Sequence, residues 1–281
     1  MRLTGMEVLP TMQRFGAEKA FNLMREAGFE GCDFDYMSQN YYYRNGADAF
    51  VKEAAENVAL ARKAGLTIYQ CHGPWQHPIK DYTEEQRAER FEKMSLCLNV
   101  CRENGIPIMV IHPIMPFSDG HDGDYEVFKQ INYDFYSRLL EVAIKCDVKI
   151  AYENMPFNHL TMSSPEETLA FVNRLNDDHF GFCLDTGHAH CLHFDVAKAV
   201  KDAGDKLIAL HVHDNDGATA NDAHLIPYRG TIDWEAFKSA LKESPSDCAV
   251  SLETSVRDTC PEDITLNYLK SLSMIAHYLG E

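Results

Sequence analysis

The feature that most constrains this chain is an alternation repeated from end to end, in which a short β-prone run is followed by a longer stretch of helical periodicity. The strand candidates are Leu3–Leu9, Gly31–Tyr36, Leu66–Cys71, Pro107–His112, Lys149–Glu153, Phe180–Asp185, Leu207–His213 and Cys248–Glu253. Strands that alternate with helices make parallel βαβ units, and eight such units in 281 residues favour closure into a single (β/α)8 TIM barrel. No Pro/Gly/Ser-rich linker divides the chain, so residues 1–281 are expected to form one domain. Ala47–Ala64 and Glu84–Asn104 read as amphipathic helices that stop at Gly65 and Gly105. Ser164-Pro165-Glu166-Glu167 supplies an N-cap, a first-turn proline and acids suited to the helix dipole, opening a helix to about Leu175. A shorter helix is expected over Asp195–Ala203. Pro113–Gly123 and Asn215–Gly230, both following strands, read as long loops, and barrel enzymes build their sites from such loops.

Metal-ligating residue types gather at one place in this pattern. His72, His112, Glu153, Asp185, His211 and Glu253 each stand at or just past the end of a strand candidate, from the third strand to the eighth in turn. Side chains two apart on a strand share a face, which puts small residues one layer below four of them: Ala151, Cys183, Ala209 and Ser251. The alternate positions, such as Tyr152, Leu184, Leu210 and Leu252, are large and apolar and should face the helices. Glu153, Asp185, His211 and Glu253 would then point into the barrel mouth as a hard, oxygen-rich donor set. That set suits a divalent metal, with Mn²⁺ the first choice over Zn²⁺, Co²⁺ or Mg²⁺. A metal there would polarise a carbonyl and its neighbouring hydroxyl, and Glu153 and Glu253 could pass a proton on and off the carbon between them. His188, three residues past Asp185, is placed to donate to the oxygen that gains charge, a capping or buried role being the plainer alternative.

Charge narrows the partner. With 26 Lys+Arg against 43 Asp+Glu the net charge is −17, which opposes nucleic acid and anionic membrane surfaces, so neither is expected as a partner. Nine cysteines without a CxxC pair read as free or buried thiols. With no signal-type segment and no apolar run near ~18 residues, the expected location is the cytoplasm.

The motifs His72-Gly-Pro, Ile111-His112-Pro, Tyr152-Glu153-Asn154, Leu184-Asp185-Thr-Gly-His188, His211-Val-His213-Asp214, Asp222-Ala-His224, Ile232-Asp233-Trp234 and Leu252-Glu253-Thr254 follow one another in this order. Through them the chain resembles the xylose-isomerase-like TIM barrel superfamily, which holds sugar phosphate isomerases and epimerases, ketose 3-epimerases, inosose enzymes, 3-dehydroshikimate dehydratases and endonuclease IV (AP endonuclease family 2). The resemblance to the ketose epimerases implies one metal on Glu153, Asp185, His211 and Glu253, and isomerisation or epimerisation of a sugar, sugar phosphate or inosose through a metal-stabilised enediolate. Homo-oligomers go with barrels of this kind. The chain departs from the ketose epimerases in lacking a clear substrate arginine after the seventh strand and in having Asn158, or no counterpart, where they carry a glutamate. The resemblance to endonuclease IV implies more metal, with His72, His112, Asp222 and His224 as ligands of a second ion or as substrate contacts. Its hydrolase chemistry, and a dehydratase-type lyase, are the alternatives. Where the family has a glycine-rich turn this chain reads Pro227-Tyr228-Arg229-Gly230, so Tyr228 and Arg229 are expected to shape the choice of substrate. Arg257, four residues past Glu253, is the other cation near the expected mouth. Tyr36 and Tyr41–Tyr43 are aromatic candidates for a sugar wall, a subunit contact or packing.

Overall fold

The computed structural model describes residues 1–37, 46–75, 81–117, 123–157, 162–218, 221–254, 256 and 259–281. Its strands are β1 (Thr4–Met6), β2 (Gly31–Phe34), β3 (Thr67–His72), β4 (Ile108–Ile111), β5 (Lys149–Glu153), β6 (Phe180–Asp185), β7 (Leu207–His211) and β8 (Val250–Leu252). The helices are α1 (Leu9–Phe15), α2 (Ala17–Ala27), α3 (Ala47–Lys63), α4 (Glu84–Asn104), α5 (Tyr125–Cys146), α6 (Pro165–Leu175), α7 (Thr186–Cys191), α8 (Val196–Ala203), α9 (Trp234–Glu243) and α10 (Glu262–Gly280). Strands β2 to β7 form one parallel run in sequence order and β1 pairs with β8. Two thin seams close the ring. Glu7 bridges to Asp33 and Val212 to Leu252, backed by Val212 N donating to Ser251 O at 2.8 Å and Glu253 N to Val212 O at 3.0 Å. The architecture is a (β/α)8 barrel.

The two faces of the strands separate into two apolar layers. Ile150, Tyr152, Leu184, Leu210, Val212, Val250 and Leu252 belong to the large core between sheet and helices. Val110, Ala151, Cys183 and Ala209 form a small cluster of their own inside the ring. This is the alternation that a parallel strand with helices outside and a packed interior requires.

Beneath the mouth the interior is filled by a bulge. The register jumps from Cys32↔Ile68 to Asp33↔Gln70, leaving Tyr69 as an extra residue on β3. The Tyr69 hydroxyl donates to Ser251 Oγ at 3.0 Å and Gln70 Nε2 to Leu210 O at 3.3 Å. Strands β7 and β8 are not neighbours of β3, so both side chains cross the interior. Glycines make the room: a Cβ on Gly31 would stand 2.4 Å from Thr67 O and 2.8 Å from the Tyr69 ring, and one on Gly5 would stand 2.5 Å from the Tyr69 hydroxyl.

Six of the eight expected strand ends change, three by a single residue (β3 ends at His72, β4 at Ile111, β8 at Leu252) and three by more. Leu9 opens α1, with Pro10 in its first turn, and does not extend β1. Asp35 Oδ1 accepts the N–H groups of Val8 and Leu9 at 2.9 and 2.8 Å, which turns the chain out of the strand. Strand β2 stops at Phe34 and continues as a 3₁₀ turn over Asp35–Met37, and β7 stops at His211. By contrast β5, β6, α4 and α6 run as the sequence patterning predicts, and α7 is a short helix that the patterning does not separate.

Buried polar fastenings hold the loops above the mouth. Asp214 accepts from Gly230 N, Ile232 N and Trp234 Nε1 at 2.9, 3.2 and 2.9 Å, tying those three residues back to the end of β7. Asp81 pairs with Arg90, whose other arm donates to His112 O at 3.1 Å, and Met115 N donates to Asp81 Oδ2 at 3.0 Å. Among the described residues no helix is long and apolar enough to cross a membrane.

Because Gly31 faces backbone on one side and a packed ring on the other, Gly31→Ala should lower stability by roughly 1–3 kcal/mol. The midpoint of denaturant unfolding reads this directly. An unchanged midpoint would mean that Tyr69 yields without cost.

Candidate metal centre

Each predicted ligand arrives from its own strand. Glu153, Asp185 and His211 are the last residues of β5, β6 and β7, His72 ends β3, and His112 and Glu253 follow β4 and β8 directly. Parallel strands end together, so six separated positions of the sequence meet at one mouth. Potential ligand atoms of Glu153, Asp185, His211 and Glu253 all lie within 4.8 Å of one another. His72, His112 and Glu153 form a second such group, and His188, His213, Asp222 and His224 a third.

The imidazoles are oriented from outside the cluster. His72 Nδ1 donates to Gly73 O at 2.8 Å, His188 Nδ1 to Asn154 O at 2.8 Å, and His224 Nδ1 to Glu253 O at 3.0 Å. His211 does the same with its other nitrogen, Nε2 donating to Asp33 Oδ2 at 3.2 Å. The remaining nitrogens face acids. His211 Nδ1 lies 3.1 Å from Glu153 Oε1 and 3.3 Å from Glu253 Oε2. His72 and His112 Nε2 lie 3.5 and 3.3 Å from Glu153 Oε2 and 3.1 Å from each other. His188 and His224 Nε2 meet Asp222 Oδ2 at 3.2 and 3.0 Å. Asp185 also caps α7, accepting from His188 N at 2.6 Å, while its N–H and C=O are clamped by the Asn154 amide at 2.9 and 3.1 Å.

Several of these atoms are close without being aligned as hydrogen bonds. Glu153 Oε2, Glu253 Oε2, Asp222 Oδ1 and His213 Nδ1 are buried with no hydrogen-bond partner. Buried orphans are rare in folded proteins, and a cluster of them that share one mouth fits a cation, the partner for which their lone pairs are suited.

The electrostatics are those of crowded, opposed charges. Burial works to raise the Glu153 carboxyl, but His211 and His112 outweigh it and hold it well below the usual range. Glu253 goes the other way: burial, then Asp185 and Glu153, push it well up against the pull of His211 and His224. Burial lowers His112 to about 4 in spite of Glu153. His188 and His211 are raised well above the ordinary value because acids overcome their burial, Asp185 and Asp222 for the first, Cys183, Glu153 and Glu253 for the second. For His224, Glu253 and Asp222 override burial and lift it to about 10. Burial also acts to raise Asp185, but His188 and His213 bring it down to about 2.

Some expected contacts are elsewhere. Tyr228, at φ 72°, sends its hydroxyl to Glu235 of α9 at 3.1 Å and leans on Trp234 and Tyr278. Arg229 is exposed and has no ion pair among the described residues. Tyr36 packs between Phe34 and Phe50, and its hydroxyl donates to Glu53 of α3 at 2.5 Å. Arg257, Asn158, Tyr41, Tyr42 and Tyr43 lie outside the described residues.

The structure adds residues that were not singled out. His213 puts Nε2 3.0 Å from Asp185 Oδ1 and stacks on His224 at 4.0 Å. Strand parity with His211 would have found it. Asp33 and Glu7 lie short of the strand ends expected from the sequence, Tyr36 and Leu9, so the strand-end rule does not find them. Trp75 stands 5.5 Å from the His112 ring, and Met115 and Met155 pack together with Phe157, giving the mouth an apolar side.

A profile of the family described as xylose isomerase-like TIM barrel matches residues 21–276. Inosose isomerase of Bacillus subtilis is 30% identical over 132 residues, 46% of this chain and 48% of that enzyme. The structure of D-psicose 3-epimerase with D-tagatose from Clostridium cellulolyticum H10 superposes with a TM-score of 0.80 at 15% identity, covering 100% of both chains. The IOLI protein with a bound zinc atom superposes with a TM-score of 0.75 at 18% identity, covering 100% of this chain and 98% of that one.

The pKa shifts predict how the metal-free protein responds to pH. His224, near 6.5 when unfolded and about 10 when folded, contributes stability that is full below about 6.5 and lost as pH rises towards 10. His188 and His211 act in the same sense. Asp185, near 3.9 when unfolded and about 2 when folded, contributes stability that is present above 3.9 and lost as pH falls to 2. Taken alone, these groups put the highest thermal midpoints between about pH 4 and 6.5, and His112, lowered to about 4, draws the maximum towards the upper end of that window by costing stability as pH falls below 6.5. His224→Gln should flatten the alkaline arm, and an unaltered arm would contradict the assignment.

Proposed function

The chain belongs to the xylose isomerase-like TIM barrel family, and from that premise we propose that it is a divalent-metal-dependent sugar isomerase or epimerase. The observation that carries this reading is the convergence of Glu153, Asp185, His211 and Glu253, with two glutamate oxygens left without hydrogen bonds. Likeness to an inosose isomerase over about half of that enzyme's length supports the same class. A zinc-bound structure of the same fold supports a divalent metal, and the oxygen-rich donor set favours Mn²⁺.

A divalent cation on these four residues supplies the electron withdrawal that makes a C–H between a carbonyl and a hydroxyl acidic. The rest falls to the side chains. Glu153 and Glu253 come from β5 and β8, so whichever carboxylate oxygen of each the cation leaves free would approach a bound substrate from a different side. One takes the proton to give an enediolate, and the other returns one at the same carbon for epimerisation or at its neighbour for isomerisation. His188, held at Nδ1 by Asn154 O, offers Nε2 as donor to the substrate oxygen that becomes negative. Trp75, Met155 and Phe157 give the C–H faces of a sugar an apolar side and keep water from the reacting carbon.

The second and third ligand groups favour a second reading, in which further ions sit on His72 and His112 and on Asp222 and His224 and the chemistry is hydrolytic. A net charge of −17 argues against a polyanionic substrate, and Arg229 is the one Lys or Arg of the described loop after β7.

Incubation with keto sugars, sugar phosphates and inososes in D₂O should give metal-dependent incorporation of deuterium beside the carbonyl. Glu253→Gln should slow it by about 10²–10⁴. The absence of exchange across such a panel, with metal fully loaded, would end the isomerase reading. A new ultraviolet-absorbing product would point to a lyase, and cleavage of abasic DNA to the hydrolase.

A further inference from the structure

Four imidazoles of the cluster are held from outside, and the holders differ in kind. For His72, His188 and His224 the acceptor is a backbone carbonyl, whereas for His211 it is the carboxylate of Asp33. Asp33 and His211 are both fully buried. A backbone carbonyl would orient the ring at no charge cost, while a buried carboxylate costs several kcal/mol unless it is well paired.

The structure pairs it deliberately on one side. The β3 bulge brings Gln70 opposite Asp33, and Gln70 Nε2 donates to Asp33 Oδ2 at 2.6 Å. Ser251 Oγ stands 3.5 Å from the same oxygen. All three neighbours converge on Oδ2, and Oδ1 is left buried without a partner. Asp35, two residues on, is a carboxylate of another kind, whose Oδ1 accepts two backbone N–H groups.

We propose that Asp33 is a positioning residue of the metal centre, which accepts a hydrogen bond from Nε2–H of His211, keeps the proton on that nitrogen, and so commits His211 Nδ1 to the cation. The inference rests on the reading that Glu153, Asp185, His211 and Glu253 hold a metal. An imidazole whose outer N–H faces a carboxylate is a stronger donor through its inner nitrogen, and its ring cannot turn. In this mouth the ring must not turn, because the wrong tautomer would aim an N–H at Glu153 and Glu253. The Gly31 position and the bulge are part of the same device, since they set where Asp33 and Gln70 meet.

The test compares Asp33→Asn with Asp35→Asn. Binding of Mn²⁺ is followed by the electron paramagnetic resonance of the free ion, and stability by thermal unfolding. Asp33→Asn should weaken Mn²⁺ binding at least ~10-fold. Asp35→Asn should lower the unfolding midpoint and leave the Mn²⁺ affinity within about twofold, the outcome expected of a purely structural carboxylate. On the unmodified Zn²⁺-loaded protein, ¹⁵N spectra should show His211 protonated at Nε2 and metal-shifted at Nδ1, a readout that needs no variant to fold. Mn²⁺ affinity unchanged in Asp33→Asn, or a proton found on Nδ1, would overturn the role of Asp33 while the metal reading stood. Failure of the unmodified protein to bind either ion would remove the metal reading, and this inference with it.

Discussion

The structure depends on how a barrel mouth can hold opposed charges out of water. Glu153, Asp185 and His211 are at most 1% exposed, and around them stand His72, His188, His213 and Asp33, all buried. Isolated ions at such depth would each cost several kcal/mol, so every group must be paired, neutralised or given to a cation. The fold answers by spending one ring nitrogen of each of four imidazoles on an outer oxygen and turning the other inward. Of the buried polar side-chain atoms left without a hydrogen bond among the described residues, the mouth keeps Glu153 Oε2, Glu253 Oε2, Asp222 Oδ1 and His213 Nδ1.

The layers below and around the mouth serve that arrangement. Small residues under Glu153, Asp185 and His211 keep the interior narrow, and Tyr69 fills it from the bulge on β3, in space that Gly5 and Gly31 leave open. Asp214 and the Arg90–Asp81 pair anchor Gly230 and Ile232 near the end of β7 and His112 just past β4 by capturing backbone groups that would otherwise need water. An apolar side of Trp75, Met155 and Phe157 facing this charged floor is a combination suited to a polyol, whose hydroxyls and C–H faces need different partners.

Much of this was legible in the sequence because period 2 and strand ends are local signals. Lys149–Glu153 and Phe180–Asp185 are continuous apolar runs that end in an acid, and the strands have those bounds. Gly105 marks the end of α4 as a left-handed cap. Where the sequence misleads, a long-range contact decides. Leu9 looks like the end of an apolar strand, but Asp35, from the turn that follows β2, captures its N–H and starts a helix. The β3 bulge has no local signature, so the sequence does not reveal that Gln70 meets Asp33. Tyr228 occupies a left-handed turn position, and only the neighbouring helix explains why its hydroxyl is drawn to Glu235.

The central claim is that Glu153, Asp185, His211 and Glu253 jointly hold a divalent cation. Anomalous scattering at the manganese edge, from crystals of protein loaded with Mn²⁺ alone, tests it most directly. The account predicts a peak within about 2.0–2.3 Å of one atom from each of the four residues, His211 contributing Nδ1. A mouth without anomalous density, or a cation bound at His211 Nε2, would contradict it.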